Sequence, residues 1–365
     1  MPVTLATDNL NECWPEEFRN ERVKVGALLH PASINGSFVH TESVLQKLAA
    51  DNCFKFSALF GPQHGFHGTT QDNMIEWQSF RHPRLDIPVH SLYGQHREPT
   101  ADMLDGIDVL FVDLQDVGAR YYTFIWSLFL CMRACEKFGV HVVVNDRPNP
   151  IGNAVEFENF DPEYSSFVGL HPIPIRHGKT IGQSARQFRE EAFHGCGLTV
   201  LEMEGWDPAQ WHDETGLPWI SPSPNMPTLH TATVYPGMCL LEGTNLSEGR
   251  GTTRPFEFFG APWIKSDALC AKLADCELPG VVFRPISFEP TFQKHAQAIC
   301  EGAQLHITDR QQFVPVNAGI EVIRTVRSLW PEKFAWKQPP YEYETEKLPI
   351  EVLLGGPVEN VFGEE

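Results

Sequence analysis

The sequence predicts an α/β protein with a mostly parallel sheet, followed by a smaller α+β domain. Short apolar runs such as Val109–Val112 are too short for helices and apolar at every position, which is typical of strands covered on both faces. These runs alternate with segments of helical spacing, and the order strand, helix, strand is that of a parallel sheet with right-handed crossovers. We place the α/β domain at residues 1–235 and the smaller domain at residues 236–365.

The elements of the first domain follow one another at short intervals. In the helix expected at Thr41–Asp51, apolar residues recur at the spacing of one helix face. Further helices are expected at Thr123–Phe138 and Ile181–His194. Strands are expected at Arg22–Leu29, Phe54–Phe60, Val89–Leu92, Val109–Val112, His141–Val144, Ile173–Arg176 and Leu198–Met203.

The pattern changes after Gly205, where tryptophans and prolines cluster and an irregular stretch is expected. Such a stretch suits a crossing between domains or a rim of aromatic faces. The tail Tyr341–Glu365 is expected to pack along the surface. The elements expected before this tail are a helix near Asp267–Ala274, strands near Val281–Phe288 and Leu305–Ile307, and a helix at Pro315–Leu329.

Composition narrows the class of protein and its partners. The 365 residues carry a formal charge of −19, which disfavours nucleic acid or an anionic membrane surface as the main partner. Nine cysteines without paired CxxC spacing indicate small buried hydrophobes in a reducing compartment, and the cytoplasm is the default expectation. The first residues have neither a basic nor an apolar signal region, and no apolar run is long enough to span a membrane.

Polar residues concentrate where the predicted strands end. Asp113, Gln115, Asp116, Arg120, Tyr121 and Tyr122 follow the strand Val109–Val112; Asp146, Arg147 and Asn149 follow His141–Val144; and Gln63, His64 and His67 follow Phe54–Phe60. Open α/β sheets bind ligands outside the carboxyl ends of their strands, so these loops are expected to meet at one site, with His177 nearby. In an alternative interpretation, Asp113 and Asp116 cap the following helix and Arg120 pairs with one of them.

Two further kinds of site are weaker predictions. Gly249–Thr253 superficially resembles a phosphate loop, but the lysine of that motif is absent and no strong strand precedes it. A metal-dependent hydrolase could use His64, His67, Asp113 or His177, although His-x-x-His without a neighbouring glutamate is weak evidence for zinc. We expect neither a metal nor another cofactor.

Seven motifs in order carry a family resemblance. They are GPQHGFHG (Gly61–Gly68), SLYG (Ser91–Gly94), DLQDVGARYYT (Asp113–Thr123), DRPNP (Asp146–Pro150), HG-T (His177–Thr180), PSPNMPT (Pro222–Thr228) and EGTNLSEGRGTTRPFEFFGAPW (Glu242–Trp263). Together they resemble the bacterial family of exo-acting β-N-acetylmuramidases. The resemblance implies a larger Rossmann-like domain, a smaller C-terminal domain, and a cleft between them that takes the terminal N-acetylmuramic acid of peptidoglycan fragments.

The chain departs from the family at one position. The resemblance implies a glutamate, the favoured catalytic acid, between the proline and the histidine of the first glycine-rich loop, where this chain has Gln63. An amide cannot act as a general acid, and glycoside hydrolysis usually needs two carboxyl groups. The candidates for the missing chemistry are Glu76, Asp116, Glu248 and His64.

The predicted function is therefore hydrolysis that releases N-acetylmuramic acid. Arg120, Arg147 and Arg250 are candidates to bind its lactyl carboxylate, because a guanidinium binds carboxylates with two parallel hydrogen bonds. Alternatives are a relative that binds muramyl sugars without hydrolysis, as Gln63 suggests, and the metal-dependent hydrolase. The remaining candidates for substrate binding are Gln63, Gln115, Tyr121, Tyr122, Asp146, Asn149, His177, Asn225, Glu242 and Asn245.

Overall fold

The computed structural model describes residues 2–363 and divides into two compact units. Unit 1 comprises the residues up to Gly118, Tyr122–Asn153 and Gly178–Pro227. Unit 2 comprises Ala119–Tyr121, Ala154–His177 and the residues from Thr228 onward. The predicted fold class is confirmed, because unit 1 is built on a mostly parallel sheet and unit 2 on a smaller antiparallel one.

Unit 1 alternates strands and helices along the chain. Its strands are β1 (Lys24–Leu28), β2 (Lys55–Gly61), β3 (Phe80–Arg81), β4 (Pro88–Ser91), β5 (Val109–Val112), β6 (His141–Asn145) and β7 (Leu198–Leu201). Its helices are α1 (Leu10–Cys13), α2 (Thr41–Ala50), α3 (Ala101–Leu104), α4 (Phe124–Phe138) and α5 (Ile181–Glu191). The strand order in the sheet is β3-β4-β2-β1-β5-β6-β7, and only the pairing of the edge strand β3 with β4 is antiparallel within the described residues.

The apolar strand runs form the core of unit 1. All four residues of β5 are fully buried, and β5 lies between β1 and β6 with parallel register on both sides. Trp14, near the end of α1, packs against Phe111 of β5 with ring centroids 6.0 Å apart. Because the parallel strands all run in one direction, the loops after β1, β2, β5 and β6 lie at one edge of the sheet, as the sequence predicts.

Unit 2 combines a three-stranded antiparallel sheet with helices. The sheet order is β8 (Phe258–Ala261), β10 (Cys300–Ile307) and β9 (Val281–Phe288). The helices are α6 (Leu229–Met238), α7 (Ser266–Ala274), α8 (Pro315–Leu329), α9 (Pro349–Leu354) and α10 (Glu359–Phe362). The bounds predicted for β9 and α8 coincide with those observed, because both have a strong local pattern and clear ends.

One predicted strand is wrong. In the described part of the chain, Arg176 of the predicted strand Ile173–Arg176 forms isolated bridges to Ala119 and Glu156 but belongs to no regular ladder. Pro172 and Pro174 have no N–H to donate, so this segment cannot make the alternate hydrogen bonds of a strand. His177 therefore follows an irregular segment and not a strand end.

One helix of the second half was not predicted, and one prediction needs correction. Helix α6 follows the irregular stretch, and the sequence does not mark it as a helix, because eight of its ten residues are buried, it has no polar face, and it contains Pro236. The tail does not pack along the surface, because Ile350, Val352, Leu353 and Leu354 of α9 are almost fully buried. The apolar run Leu348–Leu354 belongs to the core of unit 2.

Helices α6 and α8 touch through glycines. A Cβ atom on Gly237 would lie 1.8 Å from the carbonyl oxygen of Pro315, and one on Gly319 would lie 2.2 Å from the carbonyl oxygen of Gly237. No side chain fits at that distance, so the backbones of the two helices are in direct contact.

We predict that Gly237→Ala destabilises the protein by about 1–3 kcal/mol or more, because the added methyl group must push α8 away from α6. Urea unfolding of the purified variant measures this loss. Gly356→Ala is the matched control, since a Cβ at Gly356 meets no atom within 4 Å. Equal stabilities of the two variants would contradict the prediction.

Candidate active site

A fully buried carboxylate, Asp113, lies directly after β5. It accepts hydrogen bonds from the hydroxyl of Thr41, from Asn145 Nδ2 at 2.9 Å, and from Nε and Nη2 of Arg147, the latter at 2.9 Å. Burial alone would raise the pKa of Asp113, but the charge of Arg147 and these hydrogen bonds hold it below its ordinary value. Asp113 is therefore ionised and bidentately paired with Arg147.

His30, which follows β1, joins two more loops at this edge. Its Nε2 accepts from the backbone N–H of Gln115 at 3.0 Å, so the proton is on Nδ1, which donates to the carbonyl of Pro222 at 3.3 Å. Complete burial, together with the charge of Arg147, lowers the pKa of His30 to about 3. His30 is thus a neutral imidazole that fixes the backbone just before Asp116.

The side chain of Gln63, after β2, is held by two hydroxyl groups. Its Oε1 accepts from Thr123 Oγ1 at 2.6 Å, and its Nε2 donates to the hydroxyl of Tyr93 at 3.0 Å. The backbone N–H of Met74 donates to the same Tyr93 oxygen at 3.1 Å. The neighbouring His64 has a positive φ of 70° and its Nδ1 lies 2.7 Å from the carbonyl of Thr70.

Asp116 is the other buried carboxylate of the loop after β5. One of its oxygens accepts from the backbone N–H of Gly118 at 2.6 Å. The buried Tyr122 lies near both Asp116 and Ser223: burial raises the pKa of its hydroxyl, the hydrogen bond to Ser223 opposes the rise, and the charge of Asp116 adds to it. Glu76, by contrast, is exposed.

The three candidate arginines have different surroundings. Arg120, in unit 2, is fully buried and donates four hydrogen bonds to backbone carbonyls. These carbonyls belong to Asn159, Ile173, Leu353 and Leu354. Arg250, also in unit 2, is buried between carboxylates. Arg147, in unit 1, is paired with Asp113 and also donates from Nη2 to the carbonyl of Ile34 at 2.7 Å.

Unit 2 contains a buried network of two carboxylates and two cations. Glu242 is paired with Arg250 and accepts from the hydroxyl of Tyr341 at 2.8 Å. Glu248 is paired with Arg250 at 3.3 Å and with Lys294 at 2.9 Å. Burial would raise the pKa of Glu242, yet the charge of Arg250 and these hydrogen bonds lower it. The network balances its own charges, so it has the features of a structural ion cluster that orders the glycine-rich loop after α6.

The other predicted residues contact mainly the backbone. Asp146 caps α5 through the hydroxyl of Thr180 at 2.9 Å and the N–H of Gly182 at 2.7 Å, although burial raises its pKa to about 6. The hydroxyl of Tyr121 donates to the carbonyl of Pro236. The side-chain amides of Asn149, Asn225 and Asn245 donate to the carbonyls of Lys179, Gln71 and Lys333, and His177 is buried in unit 2.

The structure adds residues that the sequence did not single out. His30 follows β1 in the way that Asp113 follows β5, so the same strand-end rule could have identified it. His212 had no such signal, because it lies in the irregular stretch rich in tryptophan and proline.

Among residues 2–363, no three His, Cys, Asp or Glu side chains converge on a point that could hold a metal ion. No helix in this range is long and apolar enough to cross a bilayer.

Two family models match consecutive parts of the chain. The N-terminal domain model of the exo-β-N-acetylmuramidase NamZ matches residues 25–230, and the C-terminal domain model matches residues 233–358. Together they cover nearly the whole chain.

Individual relatives agree with these models. The peptidoglycan β-N-acetylmuramidase NamZ of Bacillus subtilis is 44% identical over 333 residues, which are 91% of this chain and 79% of that protein. A crystal structure of a DUF1343 family protein from Bacteroides fragilis has a TM-score of 0.86 and 30% identity, and covers 98% of this chain and 90% of its own. A second such protein from the same organism has a TM-score of 0.71 and 26% identity, with 97% and 88% covered.

The buried histidines of unit 1 predict how stability depends on pH. An unfolded histidine takes up a proton near pH 6.5, whereas burial lowers the pKa of His30 to about 3 and that of His212 to about 4. Between pH 6.5 and 4 the unfolded chain therefore binds more protons at these two positions, and the free energy of unfolding falls as the pH falls. Asp146, with its raised pKa, acts in the opposite direction.

Comparison with His30→Gln isolates one of these contributions. We predict that the pH dependence of the unfolding free energy between pH 6.5 and 4 becomes shallower in this variant by up to about 1.4 kcal/mol per pH unit. Chemical unfolding at a series of pH values measures the difference. His194→Gln, at an exposed histidine, should give a curve parallel to that of the wild type. A parallel curve for His30→Gln would show that His30 is not held neutral.

Proposed function

The chain belongs to the NamZ exo-β-N-acetylmuramidase family, and from that membership we propose that it is a glycoside hydrolase that releases non-reducing terminal N-acetylmuramic acid from peptidoglycan fragments. The observation that carries the proposal is the 44% identity to the curated Bacillus subtilis muramidase over 91% of the chain. The polar edge of the parallel sheet in unit 1 supports it, because this is where the fold presents side chains to a ligand.

We propose Asp116 as the carboxylate that acts in the reaction. It is buried at the carboxyl end of the central strand β5. His30 fixes the backbone of the preceding Gln115, and the N–H of Gly118 fixes one oxygen of Asp116. A carboxylate held in this way meets the need of glycoside hydrolysis for a positioned group beside the reacting bond. Glu248 already binds two cations, and Glu76 is exposed, so both are weaker candidates.

Gln63 favours a second candidate function, a relative that binds muramyl sugars and hydrolyses them slowly or not at all. Its amide has no proton to give to a leaving oxygen, and its two hydroxyl partners hold it in one orientation. Under this alternative Gln63 is a hydrogen-bonding group for the sugar. The two functions differ in turnover and not in binding.

We predict that Asp116→Asn lowers kcat for a chromogenic β-N-acetylmuramide by about 10²–10⁴-fold with little change in KM, as expected for loss of a catalytic carboxylate. Release of the chromophore in the presence of a chelator measures it, with the matching β-N-acetylglucosaminide as specificity control. Asp102→Asn, at an exposed position of α3, is the matched control. Loss of turnover in Glu76→Gln and its retention in Asp116→Asn would transfer the role to Glu76.

A second variant tests whether an acidic proton at position 63 increases turnover. We predict that Gln63→Glu raises turnover by at least tenfold and adds an acidic limb to the pH profile, because the hydroxyls of Thr123 and Tyr93 can each donate to a carboxylate oxygen without rearrangement. Gln63→Met is the control of similar size without hydrogen bonds. If Gln63→Glu and the wild type have equal rates and pH profiles, the acid does not stand at this position.

A further inference from the structure

The loop between β1 and α2 exposes an aromatic ring to solvent. Phe38, at the tip of this loop, is 68% exposed, and the following Val39 is 41% exposed. The backbone of Phe38 has a positive φ of 62°, a conformation that is unfavourable for a bulky side chain and that glycine adopts without strain. An exposed apolar ring and a strained backbone therefore coincide at one residue. Because neither stabilises the fold, their combination at a loop tip indicates a role in binding.

Hydrogen bonds from Asn35 hold the turn that carries Phe38. The side-chain oxygen of Asn35 accepts from the N–H of Ser37 at 3.0 Å and from that of Val39 at 2.9 Å. Its backbone N–H donates to the carbonyl of Val39 at 2.9 Å, and its carbonyl accepts from the N–H of Phe38 at 3.0 Å. These contacts keep Phe38 in its strained conformation. A ligand therefore meets a ring that is already in place, and little conformational entropy is lost on binding.

Both ends of this turn are attached to the buried ion pair of Asp113 and Arg147. The carbonyl of Ile34 accepts from Nη2 of Arg147 at 2.7 Å, and the hydroxyl of Thr41 donates to Asp113. Thr41 lies three residues after Phe38, so the Cα atoms of these two residues are at most about 11 Å apart. The ring of Phe38 therefore belongs to the same edge of the sheet as the loop that contains the proposed catalytic carboxylate.

The loop after β2 adds further apolar side chains at this edge. Met74 and Ile75 are 38% and 50% exposed, and Met74 also has a positive φ, of 57°. This loop contacts the loop after β1, because a Cβ atom on Gly68 would lie 2.7 Å from Cγ of Pro31. Of the ten exposed large hydrophobic side chains among the described residues, four lie in these two adjacent loops. The exposed apolar surface is thus concentrated beside the candidate site.

The absence of charge on this surface favours a neutral ligand. The segments Gly36–Val39 and Asn73–Ile75 contain no charged residue. A charged group that packed against them would lose water without gaining a partner, whereas the apolar C–H face of a sugar ring suits an aromatic side chain. The lactyl carboxylate makes N-acetylmuramic acid an anion. Its neighbour in a peptidoglycan fragment, N-acetylglucosamine, is neutral, so the surface matches the leaving sugar.

We propose that Phe38 stacks on the N-acetylglucosamine ring that leaves when N-acetylmuramic acid is released, and that this contact makes the protein favour oligosaccharide fragments over simple glycosides. Val39, beside it in the same turn, extends the apolar contact. The proposal rests on the proposed function. It concerns the leaving sugar alone and does not depend on how muramic acid itself is recognised.

The variant Phe38→Ala in the full chain tests the contact with two substrates. One is the disaccharide in which N-acetylmuramic acid is β-1,4-linked to N-acetylglucosamine, and the other is methyl β-N-acetylmuramide, whose leaving group has no ring. Initial rates of N-acetylmuramic acid release give kcat/KM for each. We expect kcat/KM for the disaccharide to fall at least tenfold, mainly through KM, because the stacking contact is lost. The value for the methyl glycoside should not change.

A matched control and a second variant separate binding from folding. Phe138→Ala makes the same change at the last residue of α4, which is 39% exposed, and should leave both substrates unaffected. Phe38→Gly removes the ring and the backbone strain together, so its thermal unfolding midpoint should rise above that of the wild type. It should nevertheless show the same selective loss with the disaccharide as Phe38→Ala. A variant that is more stable and less active on one substrate cannot be explained by misfolding.

The outcomes separate this proposal from the proposed function. If Phe38→Ala and Phe38→Gly cleave the disaccharide as well as the wild type does, the role of Phe38 is overturned and the muramidase assignment stands. Equal losses on both substrates, or a lower unfolding midpoint for Phe38→Gly, would give the ring a structural role and overturn it as well. A wild-type dimer that Phe38→Ala converts to monomers in sedimentation, with unchanged kinetics, would assign the surface to a second copy.

If the wild type releases no sugar, titration calorimetry with the same two glycosides makes the same comparison through binding. Phe38→Ala should then weaken binding of the disaccharide alone, and equal affinities in the variant and the wild type would overturn the proposal. If the wild type binds neither glycoside, both proposals fail.

Discussion

The buried ion pair between Asp113 and Arg147 is the interaction on which the polar edge of unit 1 depends. The carboxylate is fully removed from water, a large cost that its hydrogen bonds with Thr41, Asn145 and Arg147 must offset. These partners come from α2, β6 and the loop after β6. One carboxylate after β5 therefore holds its own loop, the start of a helix and the neighbouring strand end in fixed positions. It also occupies Nε and Nη2 of the Arg147 guanidinium.

His30 stabilises the same edge of the sheet through backbone contacts. A neutral imidazole can donate from one nitrogen and accept with the other, and His30 uses both to join the backbone of Gln115 to that of Pro222. The Asp113 cluster orients side chains, and His30 orients the main chain that leads to Asp116. The edge of the sheet is thus preorganised by buried polar contacts that supplement the apolar core, which is the arrangement that catalytic and binding groups require.

Local sequence patterns predicted most of the fold but few of the buried polar contacts of Asp113 and His30. The strand Val109–Val112 and the helix Pro315–Leu329 were predicted with their observed bounds, because their periodicity depends on neighbouring residues alone. The strand-end rule also placed Asp113, Asp116 and Arg147 at one edge of the sheet, where the structure has them. The partners of these side chains lie far away in sequence: Asp113 bonds residues 72 positions before it and 34 after it. Only the folded chain reveals such pairs.

The wrong predictions have the same cause, which is that the contacts that decide them lie far apart in sequence. The tail was expected at the surface because acidic residues surround its apolar run, yet α9 is buried and its last carbonyls receive the guanidinium of Arg120 from 234 positions earlier in the chain. The same contact gives Arg120 a structural role that its place in a polar loop did not predict. An arginine in such a loop can bind backbone carbonyls or bind a ligand. Whether its N–H groups already have partners distinguishes the two roles.

At Gln63, the contacts that position the side chain are independent of whether the side chain carries an acidic proton. Its partners, the hydroxyls of Thr123 and Tyr93, can each donate or accept, so they hold an amide and a carboxylate equally well. A change between glutamate and glutamine at this position therefore leaves the fold and the shape of the site intact, and alters whether a proton is present. In this chain the two hydroxyl groups set the orientation of side chain 63, and the presence of an acidic proton depends on a single side-chain group.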